Sequence, residues 1–479
     1  MNMPIEKASG VAVDQIQQRL TNYALALRYA DIPEESVYAA KVRIIDTLGA
    51  LMAGFSDEPS ALARGMAADV PSPTGSTVIG TRMTTTPDLA AFANGTASRS
   101  AELNDHDRKP GGRNGHPSDV VMPVYSVAEQ VHASGRDYIT AVVLAYEVYL
   151  RFAENISFIS FDATNFCCLG SATAAGKLMG LSPLQLAHCI SLAAIPSNAL
   201  NQTRTGQLSM WKAVASGHAG RAGVFAAMMA RKGIEGPYLP FEGKNGWFKH
   251  VAQKQFALDS MGGNGEPFRV QDSVIKPRSS CFHTLSSILS AEQAARKLKT
   301  GIENINQITV EIYGARERAV DKIPPVVGGG GHHWWHPDSR ESADHSTPYA
   351  VAVALMDGTV TQDSFDDAHL WNPRLRALLQ KIKVIENNDF TTAYETRPVQ
   401  HCTRVTVVTG SGAEVVGEYG GKHGNLSDQW PREKVEEKFT RVSAGILDAK
   451  KVRTVLDLLW SLDDIKDVAA IARELVIDK

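Results

Sequence analysis

The sequence predicts a mainly α protein. A large all-helical domain, residues 1–273 with 422–479, is interrupted by a smaller α+β domain at 274–421. Three observations lead there. Residues 14–275 repeat apolar positions at helical spacing. Beyond the Gly/Pro-rich break MGGNGEP (261–267), alternating β-branched segments appear. After His423 the helical pattern returns, so the last helices can dock back on the first half.

Each element has its own signal. In 36–53, Val37, Ala40, Ile44, Ile45, Leu48, Leu51 and Met52 recur on one face, with Ser36 as cap and Gly54 as stop. Asp46 falls inside this apolar pattern, which predicts a buried carboxylate bonded to a neighbouring helix. Val120 to Phe152 is helical with a break at Gly135-Arg136-Asp137. SATAAGKLMGL (171–181) leads to Ser182-Pro183, a cap followed by a first-turn proline. Residues 213–232, rich in Ala, Gly and Ser, predict a helix buried on several sides or at a subunit interface. In the second domain, QITVEIYG (307–314) alternates as a strand, and RVTVVT and EVVGEY flank Gly410–Ala413 as a hairpin. Helices are expected at 284–299 and 345–356, then at 431–448, 450–462 and 464–476.

Composition narrows the function. Lys+Arg is 49 and Asp+Glu 52, a net charge of −3 without charged tails. Nucleic-acid binding is disfavoured, because it needs a concentrated basic surface. No apolar run approaches ~20 residues, and the N-terminus lacks an apolar signal core, so a cytoplasmic protein is expected. The five cysteines form no disulfide framework and no CxxC.

Several motifs carry little chemistry. Gly328–Gly331 lacks the GxxxxGK[ST] pattern and predicts a flexible loop. His332, His333 and His336 in HHWWH could offer i,i+4 ligands on a helix, but four glycines before them and Pro337 after argue for a substrate loop or solvated loop instead. Ser209-Met210-Trp211-Lys212 is SxxK and Lys299-Thr300-Gly301 is KTG, without the SxN that a serine acyl-enzyme would add. Lys212, at the start of a very apolar helix, suits a carboxylate or developing enolate; a lysine snorkelling at a bundle end is the alternative. Asn104 to Asp119 holds two histidines and several carboxylates, a proton-transfer candidate or a hydrated loop.

Several segments in order resemble the MmgE/PrpD family, which includes 2-methylcitrate dehydratase. They are IIDTLGALMAG (44–54), AFANGTASRSAELNDHD (91–107), GHPSDVVMPVYSVAE (115–129), ASGRDYITAVVLAYEV (133–148), GSATAAGKLMGLSPLQLAHCISLA (170–193), LSMWKAVASGHAGRAGVFAAMMARKG (208–233), IKPRSSCFH (275–283), SRESADHSTPYAVAVALMDG (339–358) and KHGNLSD (422–428). The resemblance implies a homodimer whose inserted α+β domain is a lid, with no metal, iron–sulfur cluster or organic cofactor. It implies a small di- or tricarboxylate substrate, no nucleic-acid or membrane partner, and a place in propionate metabolism. The expected reaction is dehydration of a 2-methylcitrate- or citrate-like acid. Decarboxylation of the cis-aconitate type, epimerisation, or polycarboxylate binding without catalysis are the alternatives.

By the same resemblance, Lys212 and Lys276 hold substrate carboxylates and the developing enolate. Asp105 and His116 are the acid and base in either order. His106, Ser209, His345 and Tyr349 are substrate-binding candidates. Two positions depart from the family pattern: Ala163, or alternatively Asp162, stands where a histidine is usual, and His106 where a threonine is common. His106 could supply the lost imidazole.

Overall fold

A computed structural model describes residues 13–107, 115–156, 160–258, 260–314 and 331–477. Gly328–Gly330 of the glycine run lie outside the described residues. The chain divides into two compact units, one of residues 1–203, 211–273 and 431–479, the other of 204–210 and 274–430.

The first unit is helical. Its helices are α1 (Gln15–Ala26), α2 (Glu34–Gly54), α3 (Glu58–Ala68), α4 (Pro87–Ser100), α5 (Val121–Gln130), α6 (Gly135–Ala153), α7 (Thr164–Leu178), α8 (Pro183–Ala194) and α9 (Trp211–Arg231). The short strands β1 (Pro71–Thr77) and β2 (Thr84–Thr85) pair antiparallel; β3 (His106–Asp107) and β4 (Ser273–Val274) are two residues each. Local signals explain the boundaries. Ser134 caps α6 in a reciprocal box with Asp137, and Ser182 caps α8 with Gln185, with Pro183 in the first turn. Gly54 ends α2 as expected, but the helix starts at Glu34 after Pro33. Ser36 therefore lies inside the first turn, where its hydroxyl accepts from Gln271 Nε2 at 2.9 Å rather than capping.

The small residues of α9 are used within the chain. A Cβ on Gly217 would lie 2.5 Å from Phe92 O of α4. That close approach needs glycine, and it lets α4 and α9 lie backbone to backbone. Asp46 on α2 is buried and pairs with Lys438 on a C-terminal helix, as the apolar pattern around it predicts.

The second unit is α+β. Its sheet runs β6-β5-β7-β8, from β5 (Ile305–Ile312), β6 (Ile382–Glu386), β7 (Thr403–Thr409) and β8 (Glu414–Tyr419). The hairpin β7–β8 falls where the sequence signals it. The parallel pairing of β5 with β6 does not, because a five-residue strand more than sixty positions away carries no local signal. Against the sheet lie α10 (Leu285–Lys297) and α13 (Thr347–Asp357); α13 is capped by Ser346 and stopped by Gly358 in the left-handed region. Between and after them come α11 (His332–Trp335), α12 (Arg340–Ala343), α14 (Asp367–Leu370), α15 (Pro373–Leu379) and α16 (Asn388–Glu395). The HHWWH tract thus holds one helical turn, contrary to the loop expected, and the His332 and His336 rings stack at 4.7 Å.

The chain returns to the first unit with α17 (Arg432–Val442), α18 (Ala449–Trp460) and α19 (Ala469–Glu474). The first and last stop short of the ranges expected. Gly445 at φ 78° breaks the first, and a short turn at Leu462–Asp464 replaces the start of the last. Among the described residues no helix is long and apolar enough to cross a membrane.

Candidate active site

The site in the first unit begins at the end of α4. Arg99 lies in the last turn, and Ala101 is still helical. Glu102 then adopts φ +52°, a left-handed position usually given to glycine. A side chain held there costs of order 1 kcal/mol or more and persists only where the surroundings fix it. They do. Glu102 is 2% exposed, and its carboxylate forms a buried ion pair with Arg99. Lys212, the second residue of α9, places Nζ 3.4 Å from Glu102 Oε2. His116 Nε2 lies 3.7 Å from Glu102 Oε1.

The histidine's tautomer follows from its partners. His116 Nδ1 is 2.7 Å from the Asp105 carbonyl oxygen, an acceptor, so Nδ1 carries the proton. Nε2 then presents its lone pair to Arg99 Nη2 at 2.9 Å. The result is a neutral imidazole whose basic nitrogen faces a guanidinium, with a carboxylate alongside. The His106 ring stands edge-on to it, centroids 5.3 Å apart, and donates from Nδ1 to the Asp107 carbonyl.

The polar stretch between Asn104 and Asp119 is no hydrated loop where it is described. Asn104, Asp105, His106, Asp107, Ser118 and Asp119 are all buried. Asn104 Nδ2 donates to Asp119 Oδ1 at 3.1 Å, and Ser216 of α9 donates to Asp119 Oδ2 at 2.9 Å. Asp105 Oδ1 accepts from the Ser118 N–H at 2.9 Å and Oδ2 from the Tyr146 hydroxyl at 3.0 Å. Burial, reinforced by the Asp105 charge, holds the Tyr146 phenol far above its ordinary range, so it stays a donor.

The two carboxylates of this stretch have different surroundings. The sequence puts the carboxylate of the acid/base pair on Asp105. Both Asp105 oxygens are engaged by Ser118 and Tyr146, and the carboxylate among Arg99, Lys212 and His116 is Glu102. Sequence reasoning passed over Glu102 and Arg99. Their one local signal is i,i+3 spacing of opposite charges across a helix end.

The remaining predicted residues lie in the second unit. Ser209 is exposed, in the segment 204–210. Lys276 is fully buried, and its Nζ donates to the Ser280 carbonyl at 3.0 Å. Ser280 Oγ donates to the Asp344 carbonyl at 2.7 Å, and the Asp344 carboxylate pairs with His345, which ties Lys276 and His345 into one network. Tyr349 is a core residue. It is 0% exposed, stacks on Phe365, and spends its hydroxyl on the Ser364 carbonyl at 2.9 Å. It lies on the apolar helix α13, whose residues 347–355 are all buried.

Ala163 precedes the first turn of α7 in the first unit, makes no side-chain cap, and is buried. A Cβ added at Gly115, next to His116, would lie 2.5 Å from the Ala163 methyl and 2.2 Å from the Tyr149 hydroxyl. That hydroxyl is buried without a hydrogen-bond partner among the described residues. The position beside His116 is therefore lined by a methyl and a phenol. Among the described residues no group of three or more His, Cys, Asp or Glu is placed to hold a metal ion.

The chain is 26% identical to the cis-aconitate decarboxylase of Homo sapiens over 93% of this chain and 91% of that protein. It is 24% identical to the cis-aconitate decarboxylase of Aspergillus terreus over 97% of each chain. It is 27% identical to the 2-methylcitrate dehydratase of Salmonella typhimurium over 82% of each. Residues 18–259 match the MmgE/PrpD N-terminal domain and residues 279–464 the MmgE/PrpD C-terminal domain. The chain belongs to the MmgE/PrpD family.

Proposed function

We propose that the chain is a cofactor-independent lyase that removes water from a 2-methylcitrate- or citrate-like polycarboxylate. The observation that carries this is the buried cluster of two cations, a carboxylate and a neutral imidazole formed by Arg99, Lys212, Glu102 and His116. A carbanion beside a carboxylate needs cationic groups on the carboxylate and a base within reach of the carbon proton. A substrate carboxylate that takes up the Arg99 guanidinium releases the His116 Nε2 lone pair. His116 then accepts the carbon-bound proton, and the electron pair forms the new double bond. The carbon–oxygen bond breaks, and the hydroxyl leaves as water with a proton from an acid in the cluster. Lys212 neutralises the developing enolate.

A second reading is decarboxylation of a cis-aconitate-like acid, favoured by the near full-length similarity to two cis-aconitate decarboxylases. There the carbon–carbon bond to a carboxylate breaks, carbon dioxide leaves, and the carbanion takes a proton from the same cluster. One experiment separates the two. Purified protein is given 2-methylcitrate, citrate and cis-aconitate in turn, while unsaturated product and released carbon dioxide are followed separately. Water loss without carbon dioxide supports the first reading. Carbon dioxide from cis-aconitate supports the second, and no change in any acid refutes both.

A further inference from the structure

Lys438 is an unexpected residue to find where it lies. It sits on α17 and is 4% exposed. Its ammonium pairs with Asp46 on α2 and donates to the Leu103 carbonyl at 3.0 Å. Leu103 stands between left-handed Glu102 and Asn104, at the centre of the loop that carries the Glu102 and Asp105 carboxylates.

Holding α17 in place does not require this lysine. A Cβ on Gly49 of α2 would touch both Phe439 and Val442 at 3.2 Å, and Val442 packs on Ala50, Ala53, Ala101 and Leu103. The helix is thus already seated by apolar contacts. A methionine would fill the same space without the several kcal/mol it costs to take an ammonium out of water. What the ammonium adds is a hydrogen bond to the loop backbone and a countercharge. Asp46 has one carboxylate oxygen without a hydrogen-bond partner among the described residues. Burial pushes its carboxyl above the ordinary range, Lys438 opposes that, and the Asp105 charge adds to it.

We propose that Lys438, paired with Asp46, is a positioning residue that fixes the backbone at Leu103 and so sets Glu102 and Asp105 against Lys212 and His116. The proposal rests on the lyase reading for its activity measurement only. A misplacement of about 1 Å at reacting groups can cost on the order of 10²-fold in rate.

The test compares the wild type with Lys438→Met, Lys438→Arg and the double variant Asp46→Asn/Lys438→Met. Lys438→Met is expected to lower kcat about 10- to 100-fold with KM little changed. Amide hydrogen exchange should quicken in peptides covering 101–107 and stay unchanged in peptides covering α9. Lys438→Arg, which keeps a cation and donors, should restore part of both. The double variant discriminates most sharply. It removes both buried charges and should recover thermal stability, yet leave kcat and loop exchange impaired, because Leu103 O still lacks its donor. Should Lys438→Met fail to fold, the double variant carries the same comparison. Wild-type kcat and loop exchange in a folded Lys438→Met overturn the proposal. So does full recovery of both in the double variant, which would leave a merely structural ion pair. If the wild type turns over no polycarboxylate, the lyase reading fails and the exchange data alone decide the role of Lys438.

Discussion

Glu102→Gln is the most informative change in the proposed site. Gln keeps the shape and one acceptor oxygen but removes the charge that Arg99 and Lys212 share. At 3.4 Å and an effective dielectric of ~20, the Lys212–Glu102 attraction alone is about 5 kcal/mol before desolvation is offset. Leaving buried cations without their partner typically costs about 3–5 kcal/mol. The rate should suffer further, since loss of a proton-transfer or charge-balancing group costs roughly 10²–10⁴-fold. Asp105→Asn is the comparison. Its oxygen can still accept from Ser118 N–H, and the Tyr146 hydroxyl can turn to accept from the new amide, so its loss should be the smaller. Glu102→Asn separates backbone from side chain: asparagine tolerates the left-handed conformation but is too short to reach Lys212. It should lose the same ion-pair stability as Glu102→Gln, relieve the strain of the left-handed backbone, and be inactive. The assay is kcat/KM on whichever of 2-methylcitrate, citrate and cis-aconitate the wild type turns over, with circular dichroism and thermal melting as folding controls. Near wild-type kcat/KM in a folded Glu102→Gln, with activity lost in Asp105→Asn, would refute the reassignment and return the acid/base role to Asp105.

Three further outcomes are expected. Lys212→Ala should lower turnover on the order of 10²–10³-fold, while Lys232→Ala, exposed just beyond the end of the same helix, should leave it unchanged; equal turnover in the two folded variants removes Lys212 from the site. If His106 replaces an imidazole missing at Ala163, His106→Ala should abolish turnover of the natural substrate and Ala163→His should raise turnover of 2-methylcitrate; brisk wild-type use of 2-methylcitrate that survives His106→Ala ends that idea. His401, packed among Phe282, Tyr313 and Tyr394, has its imidazole pushed down from 6.5 to about 4 by burial. The unfolded chain then binds the extra proton between those values, so stability is intact above about pH 6.5 and falls by up to ~3 kcal/mol as the pH drops through about 4. His401→Phe should flatten the acid side of the second unit's melting profile between pH 4 and 6.5; an unchanged slope would show that His401 is already charged in the fold.

Much of this protein is written locally. Ser182-Pro183 announces α8, the Gly410–Ala413 turn announces the β7–β8 hairpin, and Ser346 with Gly358 brackets α13. Lys212 and His116 are legible too, because ordered segments spread along the chain resemble one family and carry those residues in place. Asp46 is readable as a buried, partnered carboxylate, since an acid inside an apolar helical face has no other acceptable state. The sequence does not name its partner, and Lys438 lies 392 positions away. For the same reason it does not show that β5 and β6 pair in parallel, that Tyr349 spends its hydroxyl in the core, or that Glu102 rather than Asp105 faces the cations. Asp105 and Glu102 are three residues apart and chemically alike. Only the left-handed turn at Glu102, and the Ser118 and Tyr146 groups that claim Asp105, decide which carboxylate is held among charges. Propensity and spacing fix what each segment becomes, but which buried charges meet depends on how distant helices pack, because a buried charge is stable only where that packing supplies its partner.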